Sequence, residues 1–189
     1  MQRFAAALFA GLLASCASLP TTLHVPSTDA RVVEGRISIR YKDAASGKEE
    51  SLSGRYVWTQ DRATTDLDLF DPLGQSVAHV TSTSTQASIR FRDGRLVEGD
   101  TPEAVTQQTL GYTLPVHGMS AWLDGRPSPD SAVSTLDDGR IRQDGWTIRF
   151  VPGDDATAAD KRPKRIDLAY PGPPAEIEIR LVVDRRSAS

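Results

Sequence analysis

The chain has 189 residues, 39% of them apolar, with 22 Lys and Arg against 25 Asp and Glu and a single cysteine. A formal charge of −3 argues against a nucleic-acid binder that works by neutralising phosphates, and the length fits one domain or two very small ones. The lone cysteine excludes an internal disulfide and every multi-cysteine zinc site.

The chain opens with Arg3 and then the apolar run Phe4 to Leu13, followed by Ala14-Ser15-Cys16. That run is too short for a bilayer core, which needs ~20 residues, and has the layout of a secretory signal peptide. Leu13-Ala14-Ser15-Cys16 resembles a bacterial lipobox, in which diacylglycerol is attached to the cysteine thiol, cleavage occurs before the cysteine and the new amine is acylated. On this reading residues 1–15 are removed, and residues 16–32 form a lipidated N-terminus and a proline-containing linker. The folded unit is expected over residues 33–186. Ala17 lacks the Asp that resembles an inner-membrane retention signal, so sorting to the outer membrane is expected.

From Val33 the sequence alternates: Val33, Gly35, Ile37, Ile39 and Tyr41 share one face, and Glu34, Arg36, Ser38 and Arg40 the other. This predicts a half-buried strand. Alternation resumes with Leu52, Gly54, Tyr56 and Trp58, which predicts a hairpin, and Leu67 and Leu69 point inward against Asp66 and Asp68 in the next segment. Strand patterns continue over residues 75–81 and 86–92. The period then breaks. Thr101-Pro102-Glu103 reads as an N-cap, a proline at the first helical position and a first-turn acid, with Gly111 as the stop. A second short helix is expected over Val116 to Leu123. Further strands carry Trp146, Ile148 and Phe150, then Ile166, Leu168 and Tyr170, then Ile177, Ile179, Leu181 and Val183. About eight one-faced strands interrupted by a helical pair are most economically buried as a mostly β, unclosed antiparallel barrel with the helices over its opening.

Catalytic patterns are absent. His24, His79 and His117 are far apart and none has metal-ligand spacing; Gly74-Gln75-Ser76-Val77-Ala78 lacks the last glycine of a nucleophile elbow. Asp66-Leu67-Asp68 has the D-x-D form of sugar transferases, but a strand's solvent face produces the same spacing. No enzyme and no metal or dissociable cofactor is therefore expected, only the covalent diacylglycerol and N-acyl chain on Cys16. One loop stands out. Asp71-Pro72-Leu73-Gly74-Gln75 has good turn chemistry, yet places a leucine where exposure forgoes ~1.5–3 kcal/mol of burial. Such a residue is either tolerated or a contact for a membrane or ligand.

Cys16, Gly35-Arg36-Ile37-Ser38-Ile39, Gly54-Arg55-Tyr56-Val57-Trp58, Asp71-Pro72-Leu73-Gly74-Gln75, Leu110-Gly111-Tyr112-Thr113-Leu114-Pro115-Val116, Trp122-Leu123-Asp124-Gly125-Arg126-Pro127 and Gln143-Asp144-Gly145-Trp146 occur in the order seen in the LolB family of outer-membrane lipoprotein receptors, which the chain resembles over residues 35 to about 184. The resemblance implies an unclosed antiparallel β-barrel with a helical lid over an apolar cavity. It also implies a lipid-anchored protein facing the periplasm that accepts acylated lipoprotein cargo from a LolA-like carrier and inserts it into outer-membrane lipid. A monomer is expected. In the family the leucine of the Pro-Leu-Gly loop acts in membrane insertion, which matches Leu73 between Pro72 and Gly74. Tyr56, Trp58, Leu67, Leu69, Trp146 and Ile148, all inward-facing, are candidates for cavity lining, with filling of a solid core as the alternative for each. The alternative for the whole molecule is a structural or partner-binding envelope lipoprotein with a filled core. Two departures from the family are the short segment between Cys16 and Gly35 and the lack of a Trp after Asp184.

Overall fold

Alternation of apolar and polar residues becomes strand structure throughout the computed structural model, which describes residues 27–43, 46–111, 113–153, 162–172 and 175–187. Cys16 and most of the linker lie outside the described residues. Six strands come first: β1 (Arg31–Asp43), β2 (Glu49–Asp61), β3 (Thr64–Phe70), β4 (Ser76–Ser82), β5 (Ala87–Phe91) and β6 (Leu96–Gly99). The helices α1 (Pro102–Leu110) and α2 (Val116–Trp122) follow, and then β7 (Val133–Thr135), β8 (Ile141–Gln143), β9 (Trp146–Val151), β10 (Arg165–Tyr170) and β11 (Ala175–Arg186).

All strand pairings are antiparallel, and the sheet runs β6-β5-β4-β3-β2-β1-β11-β10-β9-β8-β7. Each half of the chain is a meander, and the halves join where the first strand meets the last, with Ile37 opposite Leu181 and Ile39 opposite Ile179. The sheet ends at β6 and β7, so the barrel is not closed. Its two edge strands are too short to show a period in sequence, as Leu96–Gly99 and Val133–Thr135 span only 4 and 3 residues.

Two glycines let the sheet curl. A Cβ on Gly35 would overlap the Val182 carbonyl oxygen, and one on Gly54 would overlap the Phe70 carbonyl oxygen. The register slips between Glu34 and Gly35, and a bulge at a glycine bends a strand and increases its twist. The concave face collects Val33, Ile37, Tyr56, Trp58, Leu67, Ile89, Ile148, Ile166, Leu181 and their neighbours into one apolar cluster. Leu52, predicted on that face, is 43% exposed. The reason is topological: β3 pairs with β2 only from Arg55 to Asp61, so Leu52 has a neighbouring strand on one side only.

The helix boundaries follow local chemistry. Thr101 is extended (φ −138°, ψ 151°) and its hydroxyl accepts the Ala104 N–H, while Gly111 ends α1 in the left-handed region at φ 78°. Helix α1 packs over β4, β5 and β6, with Val105 fully buried. Helix α2 turns Val116, Met119 and Trp122 into the concave face.

Candidate functional site

Two regions merit a functional reading, the β3–β4 loop and the space under α2. In the loop, the Asp71 side chain organises the backbone. Its Oδ1 accepts the N–H groups of Leu73 (3.0 Å) and Gln75 (2.9 Å), and Arg92 donates to its Oδ2 at 2.7 Å. The Asp71 carbonyl accepts from Gly74, and the Asp71 N–H donates to the Gln75 carbonyl, both at 2.9 Å. The Gln75 N–H, then Arg92, holds the Asp71 carboxyl below the usual carboxylate range. Gly74 supplies the required φ of 81°. A turn with this many fixed backbone contacts cannot rotate its tip inward, and Leu73 is 83% exposed between exposed Pro72 and Gly74.

The interior brings the other candidates together. Tyr56, Trp58, Leu67, Trp146 and Ile148 are all buried in one cluster, and Leu69 is partly buried against it. Trp146 also packs on Tyr170 with ring centroids 5.4 Å apart. Helix α2 completes the cluster from above. A Cβ on Gly118 would sit 2.5 Å from the Trp122 ring, so the glycine gives that indole its place.

A buried glutamine fixes Trp122. Gln143, 1% exposed, accepts the Trp122 Nε1–H and the Ser128 N–H on Oε1, both at 2.8 Å, and donates through Nε2 to the carbonyls of Ser128 and Ser131. In sequence the Asp144-Gly145 that follows makes Gln143 look like part of a turn. Its position two residues after Ile141 on the same strand face was the available indication that it points inward.

Polar contacts fasten α2 to the barrel. Arg31 on β1 contacts Asp124 Oδ1 at 2.5 Å and the Ser120 carbonyl at 3.4 Å, and Ser120 Oγ donates to Gln60 Oε1 at 2.8 Å. His117 meets Glu103 of α1 through both its backbone N–H (3.0 Å) and its ring Nδ1 (2.6 Å). Beside these contacts lies a cavity of about 710 Å³, lined by Arg31, Trp58, Gln60, Ser120 and Asp124 among others. A second, of about 570 Å³, opens between Tyr41, Glu50, Tyr170 and Ile177. Trp58 lines the first; among the described residues the other five interior candidates line neither.

The histidines take ordinary structural roles. His79 bridges Asp68 and Thr81 on the convex face, His117 caps Glu103, and His24 lies outside the described residues. Asp66, predicted on the solvent face, is there but only 6% exposed, because Thr81 and His79 cover it from β4. Among the described residues no three His, Cys, Asp or Glu side chains are placed to hold a metal ion, and no helix is long and apolar enough to cross a membrane.

Comparison with known proteins agrees with the geometry. The family model described as "Outer membrane lipoprotein LolB" matches residues 30–185. The chain is 34% identical to the outer-membrane lipoprotein LolB of Cupriavidus pinatubonensis, covering 94% of this chain and 90% of that protein. It is 35% identical to the protein of that name from Cupriavidus taiwanensis (92% and 90% covered) and 33% identical to that from Thiobacillus denitrificans (97% of each).

Proposed function

Because this chain belongs to the LolB family of outer-membrane lipoproteins, we propose that it accepts acylated lipoproteins from a LolA-like periplasmic carrier and inserts them into the outer membrane. Its role is lipoprotein localisation at the outer membrane and not enzymatic turnover. An acyl chain of about sixteen carbons costs on the order of 10 kcal/mol to hydrate, at ~0.8 kcal/mol per methylene, so a protein must shield it between carrier and bilayer. The concave face beneath α2 offers that shield. In the closed form Val116, Met119 and Trp122 fill the space, so cargo chains enter as α2 moves aside and replace its apolar side chains.

Cys16, carrying diacylglycerol and an N-acyl chain, is the anchor, and the linker after it holds a monomeric barrel facing the periplasm. Sixteen linker residues reach at most ~55 Å, which keeps the β3–β4 loop within range of the leaflet. The observation that carries the reading is Leu73, 83% exposed on a loop whose N–H groups at Asp71, Leu73, Gly74 and Gln75 are all hydrogen-bonded. One leucine adds little to a triply acylated anchor, so Leu73 engages or perturbs the leaflet at the moment of release.

Reconstitution tests the proposal: carrier loaded with a triacylated lipoprotein, this protein, and liposomes, with acceptance and delivery measured separately. Leu73→Glu removes the ~1.5–3 kcal/mol of leucine burial in the leaflet, a drop of about tenfold or more in delivery, while acceptance and folding stay unchanged. Unaltered delivery by the variant would sink the role of the loop. If the protein itself accepts nothing from the carrier, the filled-core module that binds a protein partner becomes the better reading.

A further inference from the structure

Strand β2 carries two buried polar atoms without a hydrogen-bond partner among the described residues. Tyr56 and Trp58 are each 1% exposed, and neither Tyr56 Oη nor Trp58 Nε1 has a hydrogen-bond partner among the described residues. The contrast with Trp122 is direct, since that indole N–H donates to Gln143 at 2.8 Å. Two buried arginine nitrogens also lack a hydrogen bond, but Arg165 Nε lies 3.2 Å from Asp167 Oδ2 and Arg186 donates through Nη2 to the Pro163 carbonyl. Tyr56 and Trp58 are therefore, among the described residues, the buried neutral donors left wholly unmatched. A buried donor without a partner costs ~1–3 kcal/mol, and native folds hold few of them.

Their placement suggests what satisfies them. Residues i and i+2 of a strand point to the same face about 7 Å apart, and both face the concave side, with Trp58 lining the 710 Å³ cavity beside α2. The Tyr56 ring lies against Gly35, where a Cβ would come within 3.0 Å of Tyr56 Oη, so the missing side chain is what gives the phenol its place on the concave face. Indole N–H is a donor only, and burial raises the Tyr56 phenol above its ordinary range, so it too keeps its proton. Both groups stand as donors without an acceptor among the described residues.

We propose that Tyr56 Oη–H and Trp58 Nε1–H bind the ester carbonyl oxygens of the cargo's diacylglyceryl cysteine once α2 has moved aside. This rests on the reading that the interior takes acyl cargo, and it adds what distinguishes such cargo from any long alkyl chain. Methylenes carry no polar feature to be recognised; the carbonyls at the head of each chain accept hydrogen bonds and cannot donate them. The unsatisfied donors raise the free energy of the empty state, and a ligand that brings acceptors into the cavity relieves them.

The test uses a short-chain diacylglyceryl-cysteine lipopeptide that stays monomeric in solution, and the same peptide with ether links replacing both esters. Binding to the full chain is titrated for the unaltered protein, Tyr56→Phe and Trp58→Phe, and the Trp58 indole N–H is followed by nitrogen-edited NMR. Each variant should weaken binding of the ester peptide about fivefold more than it weakens binding of the ether peptide, the value of one net hydrogen bond. In the unaltered protein the Trp58 N–H resonance should move downfield with the ester peptide and not with the ether. Equal losses for both peptides, or no shift of that resonance, would overturn the proposal while leaving acyl binding in place. Failure of the unaltered protein to bind either peptide would overturn the acyl-cargo reading itself. Should Trp58→Phe not fold, Tyr56→Phe and the NMR of the unaltered protein decide.

Discussion

At the scale of single residues, two kinds of position govern this molecule: those where a side chain cannot fit and those where a charge is held. Gly54→Ala adds a methyl group against the Phe70 carbonyl, which no rotamer relieves, so the strand must shift. A loss of ~1–3 kcal/mol is expected, as for other overpacked sites, visible as a lower midpoint in thermal or urea unfolding; Gly139→Ala, where nothing stands within 4 Å, should cost only the strain of its φ of 80°. His79 gives a pH dependence. Its Nδ1 lies 2.6 Å from Asp68, which raises its pKa against the opposing effects of burial and Arg90. A raised folded-state pKa stabilises below the unfolded value of about 6.5 and is lost as pH climbs through the raised value. The unaltered protein should therefore exceed His79→Gln in melting temperature by more at pH 5.5 than at pH 8.5, values chosen on either side of that range; an equal difference at both would mean that His79 titrates alike folded and unfolded. The sequence displayed these residues unevenly. Asp71-Pro72-Leu73-Gly74 announced an exposed leucine through its turn chemistry, whereas Gly35 and Gly54 occupy ordinary inward strand positions, and only the approach of a neighbouring carbonyl reveals why they have no side chain. Gln143 was hidden for the opposite reason. A polar residue beside Asp144-Gly145 looks like part of a turn until the Trp122 indole and the Ser128 backbone converge on it.

Among the elements, α2 differs from the strands in how it is held. The strands are tied by ladder hydrogen bonds, but α2 is a short helix with no side-chain N-cap, fixed by its buried Val116, Met119 and Trp122 and by the contacts of Arg31, Ser120 and His117. Arg31 and Asp124 are mostly shielded, at 23% and 18% side-chain exposure, so losing Arg31 leaves the partly buried Asp124 carboxylate with the exposed Arg126 alone, at 3.0 Å. Replacing Arg31 by Ala should speed amide hydrogen exchange in residues 116–122 by about tenfold while exchange in β1, β2 and β11 stays as before. Uniform acceleration across the sheet would show that Arg31 supports the barrel and not the helix. Element identity was legible wherever local chemistry was decisive: Thr101-Pro102-Glu103 and Gly111 bracket α1 as their residue types require. What was not legible was the attachment of α2, because Arg31 and Asp124 are 93 residues apart and no local pattern pairs them.

For the whole molecule the question is whether transfer needs the barrel to open. The two meanders meet along β1 and β11, a long and continuous ladder, while the free edges lie at β6 and β7. Opening by unzipping the sheet would break many hydrogen bonds at once; lifting α2 breaks a few side-chain contacts and exposes the concave face between those edges. The second route is the cheaper, and it predicts that a restraint on α2 alone stops transfer. Ser120 on α2 and Gln60 on β2 are hydrogen-bonded at 2.8 Å, so cysteines at both positions can be joined by a short crosslinker with a reducible centre. The only native cysteine is Cys16, whose thiol is consumed by lipidation on the reading above, so no other thiol competes. The joined protein should keep its melting cooperativity and its membrane location yet accept no lipoprotein from the carrier, and reduction of the crosslinker should restore acceptance to the level of the unjoined double variant. Acceptance that persists while α2 is tethered would mean that cargo never enters the concave face. The packed cluster of Trp58, Trp122 and Trp146 would then be a permanent core, and the surface outside it would have to carry the function.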